Sequence, residues 1–129
     1  MKYLAVDYGG KRVGVAISDA TGSIAFPHGE LPNDKELLPA LARLIASEGI
    51  GLVVVGDTRA PGGMPNPVTE EAEAFIESLA RASGKEVLRA SEMWTSIEAS
   101  RYAPKGHEHD NAAAAAVILQ RFLDMKGTK

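Results

Sequence analysis

The chain contains no cysteine and three histidines, two of them in His107-Glu108-His109. Disulfide frameworks, iron–sulfur clusters and cysteine-ligated zinc are therefore excluded, and His28 alone cannot complete a zinc site on the histidine pair. The histidine pair reads as a polar loop, or as a source of a titrating group near neutrality. The absence of cysteine is compatible with a reducing cytoplasm, the expected location. Long apolar runs are also missing: the first is broken at Asp7, and no later one reaches membrane-spanning length, so no membrane partner is expected. Positive net charge is lacking too. At −3 the chain has no global attraction to polyanions, so nucleic-acid binding would need a local basic patch or a bound cation. No Gly-x-x-x-x-Gly-Lys-Ser/Thr loop and no internal repeat occur.

What is present suits one domain over 1–129: 45% apolar and 24% charged residues, without a low-complexity tract. Its organising stretch is Tyr3 to Asp19, two strand-length apolar runs around Gly9-Gly10, a pair that offers the positive backbone angles of a tight hairpin. The first run ends on Asp7. A carboxylate there either caps the turn or meets a cation, since desolvating it alone is expensive. Ala20-Thr21-Gly22 is a second turn, in which Asp19 has a turn role, and Ser23-Ile24-Ala25-Phe26 is a third strand ending at Pro27.

Leu37, Leu38, Leu41, Leu44 and Ile45 trace one helical face. Pro39 places the start of the regular helix within a few residues of Asp34, despite the capping-box look of Asn33 and Glu36. Leu52-Val53-Val54-Val55 reads as a strand covered on both faces. After a proline- and glycine-rich loop from Asp57, Asn66-Pro67 opens a helix with Val68, Ala72, Phe75, Ile76 and Leu79 inward, and Gly84 closes it. Glu86 to Ala90 is a fifth strand, Thr95 to Tyr102 a short helix, and Asp110 to Met125 a last helix whose alanines Ala112 to Ala116 permit close approach to a sheet.

This order implies an α/β fold with a mixed five-stranded sheet, strands 1–3 antiparallel and strands 1, 4 and 5 parallel, flanked by helices. The ends of the parallel strands share one edge, the usual ligand edge of such sheets. Asp7, Asp57 and Glu92 fall at or beyond those ends, and Asp110 opens the last helix. A cluster of carboxylates suits Mg²⁺, which takes hard oxygen ligands.

Asp7-Tyr8-Gly9-Gly10-Lys11-Arg12-Val13-Gly14-Val15-Ala16-Ile17-Ser18-Asp19 resembles the opening motif of the YqgF family, the Holliday-junction-resolvase-like proteins also described as pre-16S rRNA nucleases. Leu52 to Gly56, Glu92 with Thr95, Ser96, Glu98 and Ala99, and Asp110 to Leu123 resemble later motifs in order. The resemblance implies a ribonuclease H-like fold and a nuclease dependent on Mg²⁺ or Mn²⁺. Asp7, Glu92 and Asp110 would be its catalytic, metal-binding acids; Lys11, Arg12 and Thr95 would face nucleic acid, either RNA or branched DNA, and Arg59, outside the family pattern, is a further candidate contact. Lys11 and Arg12 have the alternative of a solvated turn.

The chain departs from the family at two places. Ser91-Glu92-Met93 stands where the family has Asp-Glu-Arg, and Asp57-Thr58-Arg59 follows Gly56 in place of an apolar residue and proline. Asp57 and Arg59 either replace the missing pair or are ordinary loop residues. The competing expectation is a catalytically degenerate ribonuclease H-like domain that binds nucleic acid without turnover. No stretch announces a dimer interface, so a monomer or weak homodimer is expected.

Overall fold

The computed structural model describes residues 1–9, 11–56, 67–89 and 111–127. They form strands β1 (Lys2–Asp7), β2 (Arg12–Ser18), β3 (Ala25–Pro32), β4 (Ile50–Gly56) and β5 (Glu86–Arg89), with helices α1 (Leu37–Glu48), α2 (Pro67–Ser83) and α3 (Asn111–Gly127). The sheet order is β3-β2-β1-β4-β5. β1 pairs antiparallel with β2 and parallel with β4, β2 pairs antiparallel with β3, and β4 pairs parallel with β5. This is the expected mixed sheet, with β1 at its centre. The expected helix over Thr95 to Tyr102 lies outside the described residues, as do Asn66 and the loop before it.

Alternation along the strands sorts side chains onto two faces. Leu4 and Val6 of β1, Tyr8 just beyond it, Val13, Val15 and Ile17 of β2, and Val53 and Val55 of β4 pack with Leu37, Leu41 and Ile45 of α1 and Phe75 and Leu79 of α2. Tyr3, Ala5, Ala16 and Val54 face the other way, against Ala115, Ile118, Leu119, Phe122 and Leu123 of α3. Burying a large aliphatic side chain contributes about 1.5–3 kcal/mol, so the two clusters outweigh any single surface contact. Ala5 and Ala16 on that face, with Ala115 opposite, let the alanine-rich helix lie close to the sheet. Among the described residues no helix is long and apolar enough to cross a membrane.

Two local expectations change, and the expected start of the first helix holds. β3 runs through Pro27 to Pro32 rather than ending at Pro27. It is an edge strand, where a missing N–H is tolerated, and Val15↔Gly29 followed by Ala16↔Pro27 leaves His28 as the extra residue of a bulge. The β1–β2 connection is wider than a two-residue hairpin: Asp7 pairs with Gly14, and positive φ among the described glycines falls at Gly22, Gly49 and Gly84, not at Gly9, while Gly10 lies outside the described residues. Helix α1 starts at Leu37 with Glu36 as its N-cap and no side-chain cap bond, which puts Pro39 in the first turn. Asp34 Oδ1 accepts the Glu36 N–H at 2.9 Å, and Asn33 is spent elsewhere.

Asp19 has the turn role foreseen for it. Its carboxylate accepts the Ser23 and Ile24 N–H groups at 2.8 and 3.1 Å and the Thr21 hydroxyl at 2.7 Å. Those bonds, led by the one from Ser23, pull its pKa from 3.8 to about 2. Gln120 of α3 closes over the same turn, accepting the Ala25 N–H at 2.9 Å and donating to the Ser23 carbonyl at 3.1 Å.

Candidate active site

Asp7 is the last residue of the central strand and is only 4% exposed. It shares a face with Tyr3 and Ala5, so its side chain is on the α3 side of the sheet. Its cross-strand neighbours are Gly14 on β2 and Gly56 on β4. The row holding the acid therefore has no side chain from either adjoining strand. A hydrophobic residue at any of the three places would be ordinary sheet packing; a buried carboxylate between two glycines is not.

The third wall is α3. A Cβ on Gly56 would meet Ile118 Cδ1 at 2.6 Å, so the helix crosses β4 in direct contact at the end of the strand. Four residues further on, Phe122 packs edge-on against Tyr3 near the start of β1, with ring centroids 5.6 Å apart. α3 thus runs from the Asp7 end of the sheet toward the opposite end. Its first residue, Asn111, directly follows Asp110. β5 ends at Arg89, opposite Val55 at the same edge, and Arg89 pairs with Glu73 of α2 at 3.1 Å.

The connection after Asp7 is clamped on both sides. The Tyr8 N–H donates to the Gly56 carbonyl at 2.9 Å, and the Tyr8 ring packs on Phe75 with centroids 4.8 Å apart. From the β3 side, Asn33 Nδ2 donates to the Gly9 carbonyl at 2.6 Å and the Asn33 N–H to the Lys11 carbonyl at 2.9 Å. Lys11 on this connection and Arg12, the first residue of β2, are exposed, and Arg12 approaches Glu30 at 3.6 Å.

Of the residues singled out from the sequence, Asp7, Lys11 and Arg12 come together at one end of the sheet. Glu92, Asp110, Asp57, Arg59, Thr95 and the His107–His109 pair lie outside the described residues. Among the described residues no three metal-ligating side chains cluster. Asp7 itself suits a hard cation: it offers carboxylate oxygens at a buried, glycine-bounded position. Sequence reasoning set aside the capping-box look of Asn33 but gave the residue no other partner. No local signal points to its partner, the Gly9 carbonyl, which lies 24 residues earlier in the chain.

A central strand ending in a buried acid, in a sheet ordered 3-2-1-4-5, defines the ribonuclease H-like class. Among solved structures, the fold resembles that titled "T. thermophilus RuvC in complex with Holliday junction substrate", with a TM-score of 0.59 at 12% identity over 99% of this chain and 96% of that one. The sequence profile of the family described as RuvX, Holliday junction resolvase, matches residues 1–125. The chain belongs to this family of nucleases. Two relatives bear the name "Putative pre-16S rRNA nuclease". The protein from Salinibacter ruber is 38% identical over 98% of this chain and 94% of its own length. The one from Anaplasma marginale is 33% identical over 96% and 85% respectively.

Proposed function

We propose that this protein hydrolyses phosphodiester bonds in structured nucleic acid with Mg²⁺ or Mn²⁺ held by Asp7, Glu92 and Asp110. The observation that carries the reading is the buried Asp7 carboxylate in its glycine-bounded row at the end of the central strand. A divalent cation bound there would supply charge neutralisation at the scissile phosphate and an acidified attacking water. Lys11 and Arg12 contact phosphates flanking the scissile bond, and Arg59 and Thr95 extend that contact. The relatives' name, a pre-16S rRNA nuclease, favours RNA as the substrate, and we take 5′-end processing of that precursor as the task; the resolvase description of the family keeps a four-way DNA junction as the second substrate. The reaction belongs in the cytoplasm, where ribosomal precursors are found.

A second reading has one observation in its favour: Ser91-Glu92-Met93 lacks the flanking acid and arginine of the family motif. It describes a domain that binds nucleic acid without cutting it. Both readings are tested by incubating labelled single-stranded RNA and a labelled four-way junction with Mg²⁺ or Mn²⁺, comparing wild type with Asp7→Asn. Cation-dependent cleavage that Asp7→Asn abolishes supports the nuclease and identifies the substrate. Retained binding without cleavage by the wild type selects the second reading.

A further inference from the structure

We infer that Asn33 is a positioning residue that holds the connection after Asp7 so that Lys11 and Arg12 stand ready for the substrate's phosphates. The inference rests on the nuclease reading above. Asn33 lies just beyond β3, outside α1, whose N-cap is Glu36. It joins two backbone carbonyls that flank Gly10: its side-chain amide donates to Gly9 at 2.6 Å and its own N–H to Lys11 at 2.9 Å. The side chain is partly buried, so the donor is not simply exchanged for water at no cost.

The need for such a brace follows from the sequence. Gly9-Gly10 carries little intrinsic conformational preference, and the two basic side chains beside it are exposed. Tyr8 anchors the Asp7 side of the connection through the Gly56 carbonyl and Phe75, but nothing in those contacts restrains Lys11. On the far side, Arg12 is paired in register with Pro32, the residue before Asn33. The Glu30 carboxylate, 3.6 Å from Arg12, is too loose a contact on a largely exposed side chain to define the turn. Asn33 is thus the link between the β3 end and the basic connection. A brace of this kind lowers the ordering cost of binding and leaves the chemical step unchanged, so its loss raises KM rather than lowering kcat.

The test is steady-state cleavage of labelled RNA by wild type, Asn33→Ala, the pair Lys11→Ala/Arg12→Ala, and the triple combination, with each variant's melting temperature measured alongside. Losing one such hydrogen bond is expected to raise KM about fivefold, with kcat within about twofold. The rise should disappear in the Lys11→Ala/Arg12→Ala background, where the braced side chains are gone. Asn33→Ser, whose hydroxyl is too short to span the distance, carries the same expectation should Asn33→Ala fold poorly. An unchanged KM, or a KM rise of equal size in both backgrounds, overturns the role of Asn33. Loss of kcat that merely follows the folded fraction also overturns it. Wild-type protein that cleaves neither RNA nor a junction refutes the nuclease reading itself, and this inference with it.

Discussion

The contact between Gly56 and Ile118 is where the sheet, the last helix and the Asp7 row meet, and Gly56→Ala perturbs it with one methyl group. The glycine's φ lies outside the left-handed region, so its backbone admits alanine. The obstacle is space: the new Cβ would lie 2.6 Å from Ile118 Cδ1, 3.3 Å from Cγ1 and 3.4 Å from Cγ2. Turning χ2 of Ile118 relieves the first contact. The other two are set by χ1, which a β-branched residue in a helix cannot change cheaply. Overpacking of this kind costs about 1–3 kcal/mol, and the lost chain entropy of alanine in the unfolded state returns about 0.4–1 kcal/mol. The net loss is about 1–2 kcal/mol, or about 3–10 °C in melting temperature for a chain of this size. Circular dichroism melts and urea titrations read it directly. Ile118→Val alone should cost about 0.5–1.5 kcal/mol, but the two changes together should cost about 1 kcal/mol less than their sum, because valine lacks the clashing Cδ1. A Gly56→Ala protein melting with wild type, or strictly additive costs, would refute the close approach and the reasoning built on it.

Two further predictions concern the opposite end of the sheet. Because the Asp19 carboxyl is held near pKa 2, below its ordinary 3.8, its contribution to stability is complete above about pH 4 and is lost as pH falls toward 2. Asp19→Asn should flatten that part of the acid-unfolding curve, and NMR titration of wild type should give a midpoint near 2; a midpoint near 3.8 would contradict the turn geometry. Gln120→Ala leaves the Ala25 N–H without its acceptor and should destabilise the fold by about 1–2 kcal/mol in urea titration, with indifference to the change counting against the bridge between α3 and the β2–β3 turn.

The parts of the fold that read clearly in the sequence are those where burial alone sets the pattern. Val53 to Val55 had to be covered on both faces, Leu37, Leu41 and Ile45 had to face a core, and strand pairing followed from connection length. The parts that did not read clearly depend on partners distant in the chain. Pro27 looks like a strand end until an edge position and a bulge at His28 accommodate it. Gly9 looks like a positive-φ turn residue until the neighbouring strands widen the connection. Asn33 looks like a cap, since nothing local shows that its amide reaches back to Gly9. Of the candidate site, Asp7, Lys11 and Arg12 were legible and meet at one end of the sheet. Gly14 and Gly56 became meaningful only once the register set them on either side of Asp7.

The central place of β1 has a consequence for synthesis. Residues 2–7 are made early, yet β1 has one open edge until residues 50–56 have been translated and paired with it. Its Asp7 face stays uncovered until residues 111–127 pack over it. The Asp7 carboxylate is therefore made long before the strand and helix that enclose it. A ribosome-bound fragment lacking α3 would carry the opening motif in full and still leave the Asp7 face open to solvent, so on the proposed function such a fragment would be inactive.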